Sequence, residues 1–199
     1  MEFVKLTIKK YMWMDIIVLG IWAILMDVIA YFITSWIASS SMNLPITESV
    51  FIAPGFTIIY LIYHRWKDKG MVLNGLLLIV HLILYRVQIF KGYEFVLMII
   101  ISYSAFLLTM MTIRFAEKIK MSRFIYHFIA FNSIYIIMIL AEYIVGSILG
   151  VNITLFGVVS RHIVNMVICS IIIIIMSIQS NLIVDMKSHL IQSKKEEAL

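Results

Sequence analysis

The fold class this sequence predicts is an all-α membrane protein, a six-transmembrane-helix bundle with both termini cytoplasmic. Three observations lead there. Of 199 residues, 63% are apolar and only 14% are charged, against roughly 45–50% and 25% in soluble domains. The apolar residues run in stretches of about 20, enough for a helix to cross a hydrocarbon core of about 30 Å while satisfying its own backbone. Lys and Arg cluster on alternate sides of those stretches. With a mean hydropathy of +1.03 the chain reads as a single integral membrane domain, 1–199, leaving no room for a separate soluble module.

The spans fall at about 14–38, 48–63, 71–90, 93–113, 124–149 and 158–184. Lys5, Lys9 and Lys10 precede the first span, and Arg65, Lys67 and Lys69 follow the second. Arg114, Lys118, Lys120 and Arg123 follow the fourth, and Lys187, Lys194 and Lys195 the sixth. Only Arg86, Lys91 and Arg161 of the 16 are left for the other face. That asymmetry marks the cytoplasmic side, and an even number of spans agrees with it. The net charge of +5 is thus a topology signal, because the basic residues form no stripe suited to nucleic acid. The first apolar run is about twice the length of a signal-peptide core and carries Asp15 and Asp27, which predicts an uncleaved helix.

In the first span Gly20, Ala23, Asp27, Ala30 and Thr34 share one small and polar face, which should meet another helix rather than lipid. Asp27 is either a hydrogen-bonded carboxyl within the bundle or a proton or cation site. The Ser-rich link 39–47 is long enough to fold over an outer pocket and equally suits a plain connector. Pro54-Gly55 predicts a second span that is kinked or partly in the interface. His64 to Gly70 reads as a tight basic turn with an interfacial Trp66 and a terminating Gly70. His81 sits near the centre of the third span, at the depth of Asp27 if the two helices pack together, which places a shared hydrogen bond within reach. Lys91 to Glu94 forms an outer turn, and the hydroxyls of Ser102, Tyr103, Ser104 and Thr109 mark a packed face of the fourth span.

The last two spans carry the strongest functional signal. Glu142 shares a stripe with Tyr135, Met138 and Gly146, with Asn132 lower down; across a short link come Arg161, His162 and Asn165. An ion within a bilayer costs about 2.5–3.5 kcal/mol on insertion scales, so it is kept where a partner, a cavity or a ligand offsets the cost. Two readings follow. Glu142 and Arg161 pair and hold the hairpin closed, or Arg161, Asn165, Glu142 and Tyr135 line an outward-facing pocket for a small polar ligand. The 12 Phe, 10 Tyr, 4 Trp and 14 Met supply material for a stacking pocket, although lipid contact and packing account for most of them. Cys169 has no disulfide partner and reads as a packed thiol; Asn152-Ile-Thr154 spells a glycosylation sequon. There is no phosphate-binding glycine loop, no His-Glu-x-x-His, no Gly-x-Ser-x-Gly and no Cys-x-x-Cys, so no enzyme activity, metal or cofactor is expected of this chain.

Six short spans with both ends inside, Phe-Ile-Ala-Pro-Gly55 leading into the second and Lys-Asp-Lys-Gly-Met-Val-Leu-Asn-Gly75 opening the third, resemble the substrate-binding S components of energy-coupling factor vitamin transporters. The resemblance implies capture of a vitamin-like micronutrient from outside, in a bacterial cell membrane. It also implies partnership with a transmembrane scaffold and ATPase subunits. It puts Arg161, Asn165, Glu142, Tyr135 and Tyr103 in the region that would touch ligand. One departure is that the family's alanines four apart on the first helix are replaced here by Gly20, Ala23 and Ala30 around Asp27 and Met26. The layout also fits a non-transporting scaffold such as the rod-shape determinant MreD, or a membrane sensor subunit.

Overall fold

The computed structural model describes residues 2–39, 50–116, 121–179 and 182–196, and among them the regular structure is entirely helical. The helices are α1 (Glu2–Ser39), α2 (Gly55–Trp66), α3 (Gly70–Leu84), α4 (Arg86–Lys91), α5 (Glu94–Ala105), α6 (Thr109–Ala116), α7 (Arg123–Ile148), α8 (Leu155–Ile178) and α9 (Met186–Glu196). Four stretches are long and apolar enough to cross a membrane: Thr7–Trp36, Glu94–Phe115, Arg123–Ile148 and Leu155–Ile178. The protein is therefore a helical, multi-pass membrane protein. The outer link expected at 39–47 lies almost wholly outside the described residues.

α1 divides as its sequence predicts. Ile16, Gly20, Ala23, Asp27 and Thr34 are buried along one stripe, whereas Ile17, Ile21, Trp22, Leu25, Ile29 and Phe32 are exposed on the other side, where lipid would lie. α2 departs from expectation. It begins at Gly55 rather than near 48, and it is packed on α1, α3, α6, α8 and α9. Twelve residues make only about 18 Å of helix, too short to cross a membrane. Residues 50–54 lead into it without helical hydrogen bonding, and Phe51 and Ala53 within that lead-in are fully buried.

The basic turn after α2 is a single turn of 3₁₀ helix, Lys67–Lys69. Gly70 does not terminate anything: at φ −58° it opens α3, while Lys67 takes the positive φ of 53°. The expected third span is broken at Tyr85, and the fourth passes through a 3₁₀ turn at Phe106–Leu108. α7 and α8 form a long antiparallel hairpin. Its link turns at Gly150, whose φ of +73° suits glycine, and Thr154 caps α8 by accepting a hydrogen bond from the Gly157 N–H at 3.1 Å. Around α2 an aromatic column fills the core: Phe56 stacks on Phe106 at 4.5 Å, and Phe131 and Tyr135 continue it.

Candidate functional site

The hairpin places Glu142, near the end of α7, opposite Arg161 and His162, near the start of α8. Arg161 Nη1 lies 2.7 Å from Glu142 Oε1, and His162 Nε2 lies 2.7 Å from Oε2. All three side chains are buried. Both oxygens of the acid thus accept short, charge-assisted bonds, the arrangement that compensates an ion far from water. The guanidinium also sits 5.6 Å above the Phe95 ring. Two groups stay open: Arg161 Nε and His162 Nδ1 are buried with no hydrogen-bond partner.

Beside this cluster runs the lead-in. Non-helical backbone is tolerated at membrane depth only inside protein or along a cavity, and its buried N–H groups need acceptors. Two helices, α8 and α1, supply them. The Phe51 N–H donates to the Arg161 carbonyl at 3.1 Å, the Ala53 N–H to Asn165 Oδ1 at 3.0 Å, and the Gly55 N–H to Asp27 Oδ1 at 2.7 Å. Asn165 Nδ2 in turn donates to the Tyr135 hydroxyl. Asn165 and Tyr135 therefore act on the protein's own backbone. The Phe51 ring is wedged between His81 at 5.4 Å and His162 at 5.7 Å, with Tyr85 at 5.5 Å.

On the far side of Phe51 lies a second buried cluster. His81 Nδ1 is 2.5 Å from the Tyr103 hydroxyl and 3.1 Å from the Leu77 carbonyl. That carbonyl can only accept, so Nδ1 carries the proton in that bond. His81 Nε2 then faces Asp27 Oδ2 across 3.9 Å, beyond hydrogen-bond reach, and neither atom has another partner. The expected Asp27–His81 contact is thus an approach without a bond. Gly55 is part of this cluster by necessity: a Cβ there would stand 2.3 Å from Asp27 Oδ2.

Of the predicted site residues, Arg161, Glu142, Asn165 and Tyr135 come together around the lead-in, while Tyr103 joins Asp27 and His81 instead. Sequence reasoning missed His162 as the second partner of Glu142 and missed the lead-in as the feature both clusters serve. Its visible trace was Pro54-Gly55 interrupting an apolar run. Among the described residues no three His, Cys, Asp or Glu side chains are grouped to hold a metal ion.

Fold and site together define a class: a multi-pass helical membrane protein with two buried ionisable clusters flanking an irregular central segment. Set against known protein families, curated proteins and solved structures, the chain matches none of them. Its function is argued from these residues alone.

Proposed function

We propose that this protein captures a small micronutrient within a bacterial cell membrane as a substrate-binding uptake subunit, in the manner of the S components whose span layout its own expected layout resembles. In this reading the chain crosses six times with both termini cytoplasmic, α2 with its lead-in and α3–α4 completing the four long helices. A transmembrane scaffold and ATPase subunits would drive transport, and the chain itself performs no catalysis. The observation that carries the reading is the Glu142–Arg161–His162 cluster, buried against a non-helical segment with two nitrogen atoms unpartnered. Intramembrane ionisable groups of this kind mark ligand pathways by default, and unmet polar atoms beside an aromatic wedge suit a small polar or aromatic guest.

The alternative is a scaffold or sensor subunit, favoured by one fact: Glu142 already has a guanidinium on one oxygen and an imidazole on the other, so its carboxyl group is satisfied without a guest. The two separate in one experiment. Gently purified protein is analysed by native mass spectrometry, then titrated with a panel of vitamins while its thermal unfolding is followed. A capture protein retains a small molecule and is stabilised by about 2.7 kcal/mol at a ligand concentration of one hundred times Kd. Arg161→Lys, which keeps the charge and loses the planar fork, should weaken that stabilisation. A scaffold retains other membrane proteins and responds to no compound.

A further inference from the structure

The end of the bundle that carries Arg65, Lys67, Lys69 and Lys187 is not used by the site above, and it is not flat. A cavity of about 300 Å³ opens there, with those four cations and the carboxylates of Asp68 and Asp185 around an apolar floor of Ile8, Met12 and Trp66. A second cavity of about 240 Å³ adjoins it, sharing Arg65 and Trp66 and continuing along α1 past Tyr11, Met14 and Val18. Those three α1 side chains are each about half exposed.

The two cavities meet at a fixed post. Arg65 holds Asp15 through Nε at 2.7 Å and Nη2 at 3.0 Å and donates to the Leu182 carbonyl at 3.1 Å, while Trp66 Nε1 donates to Asp15 at 2.6 Å. The lysines are held far more loosely. Lys67 pairs with Asp185 at 3.1 Å and Lys69 with Asp68 at 2.8 Å, but both lysines are more than half exposed. Exposed pairs of this kind contribute little and exchange readily for another anion. Lys187 is exposed as well, so the first cavity is lined by four cations against two carboxylates.

A charged pocket opening sideways into an apolar trough on the lipid-facing side of a membrane helix suits a molecule that is anionic at one end and hydrocarbon at the other. We infer that this groove binds an anionic phospholipid, its phosphate among Lys67, Lys69 and Lys187 and an acyl chain along Tyr11, Met14 and Val18. Basic pockets between helices recognise anionic headgroups in this way. A free anion would leave the trough unused, and a zwitterionic lipid would not answer the excess charge. The inference does not depend on the uptake reading.

The test uses the full chain in neutral detergent at low salt. Phosphatidylglycerol, phosphatidylcholine or inorganic phosphate is added, and retained lipid is counted by native mass spectrometry alongside the thermal midpoint. The expected result is selective retention of phosphatidylglycerol with a rise in midpoint, no rise with inorganic phosphate, and weakening as salt is raised. A Lys67→Gln/Lys187→Gln variant should bind phosphatidylglycerol about thirty-fold more weakly, at about fivefold per lysine near an anionic headgroup. Both positions are exposed, so the variant should fold. Equal retention of phosphatidylcholine overturns the inference. So do stabilisation by inorganic phosphate alone, undiminished binding by the double variant, and the finding that the variant sheds a copurifying protein instead of lipid.

Discussion

Glu142 and Asp27 are both carboxylic acids buried in the same helical bundle, yet they are compensated in opposite ways. Glu142 has a guanidinium and an imidazole at 2.7 Å, one on each oxygen. Asp27 has one backbone N–H at 2.7 Å on one oxygen and only an imidazole at 3.9 Å facing the other. The first acid clasps two helices through side chains, and the second holds the start of α2, where the non-helical lead-in ends, through its backbone. Buried carboxyl groups thus do two jobs here, joining α7 to α8 and holding the start of α2 in place.

That contrast can be broken by experiment. Glu142→Ala strands two buried basic groups and should cost about 3–5 kcal/mol, read as a large fall in the thermal midpoint. Adding Arg161→Met to it should recover much of the loss, since an apolar side chain needs no counter-charge. A single variant as stable as the parent would show that the clasp contributes nothing. Asp27→Ala leaves the Gly55 N–H without an acceptor and should cost about 1–3 kcal/mol. Its hydrogen-exchange signature should be confined to residues 51–57, with α7 and α8 still protected. Gly55→Ala should match it in pattern and size, because its Cβ would displace the Asp27 carboxylate and overpacking costs about 1–3 kcal/mol. If either variant instead opens the α7–α8 hairpin, the two acids are not separate devices.

The exposed Lys67–Asp185 pair sharpens the comparison from the weak end. Burial raises the Asp185 carboxyl, but hydrogen bonds from Lys67 and the Ser188 backbone outweigh it and leave the group below its ordinary value of 3.8. A lowered carboxyl contributes stability above its ordinary value and loses it as pH falls through the lowered one. The contribution should be below about 1 kcal/mol, since water and salt screen the pair. Thermal midpoints of Lys67→Gln and the parent, measured from pH 6 down to pH 3, should therefore converge at the acid end. A gap that stays constant with pH would mean that Lys67 acts through its strained backbone or its packing.

Much of this was legible in the chain. Glu142 and Arg161 lie on consecutive apolar spans near a short link, so pairing was one of few ways to compensate both. Asp27 and His81 sit at matching depths on neighbouring spans, and the fold brings them within 3.9 Å. That Tyr103 meets His81 was not legible, because its face depends on how α5 is rotated against its neighbours, and hydroxyls at Ser102, Tyr103 and Ser104 point around most of the helix. The break at Tyr85 carried neither proline nor glycine to announce it.

Hydropathy by itself determined that this is a helical membrane protein and which residues of α1 face away from its neighbours, because removing backbone from water leaves the helix as the simplest way to satisfy it. What only the tertiary structure decided is that α2 is enclosed by protein, not lipid, and that its non-helical lead-in and its first residue, Gly55, are held by Asp27, Asn165 and the Arg161 carbonyl. The physical reason is that lipid tails and a protein core are equally apolar. A buried stretch of chain reads the same in either, until packed neighbours show whose side chains meet its backbone.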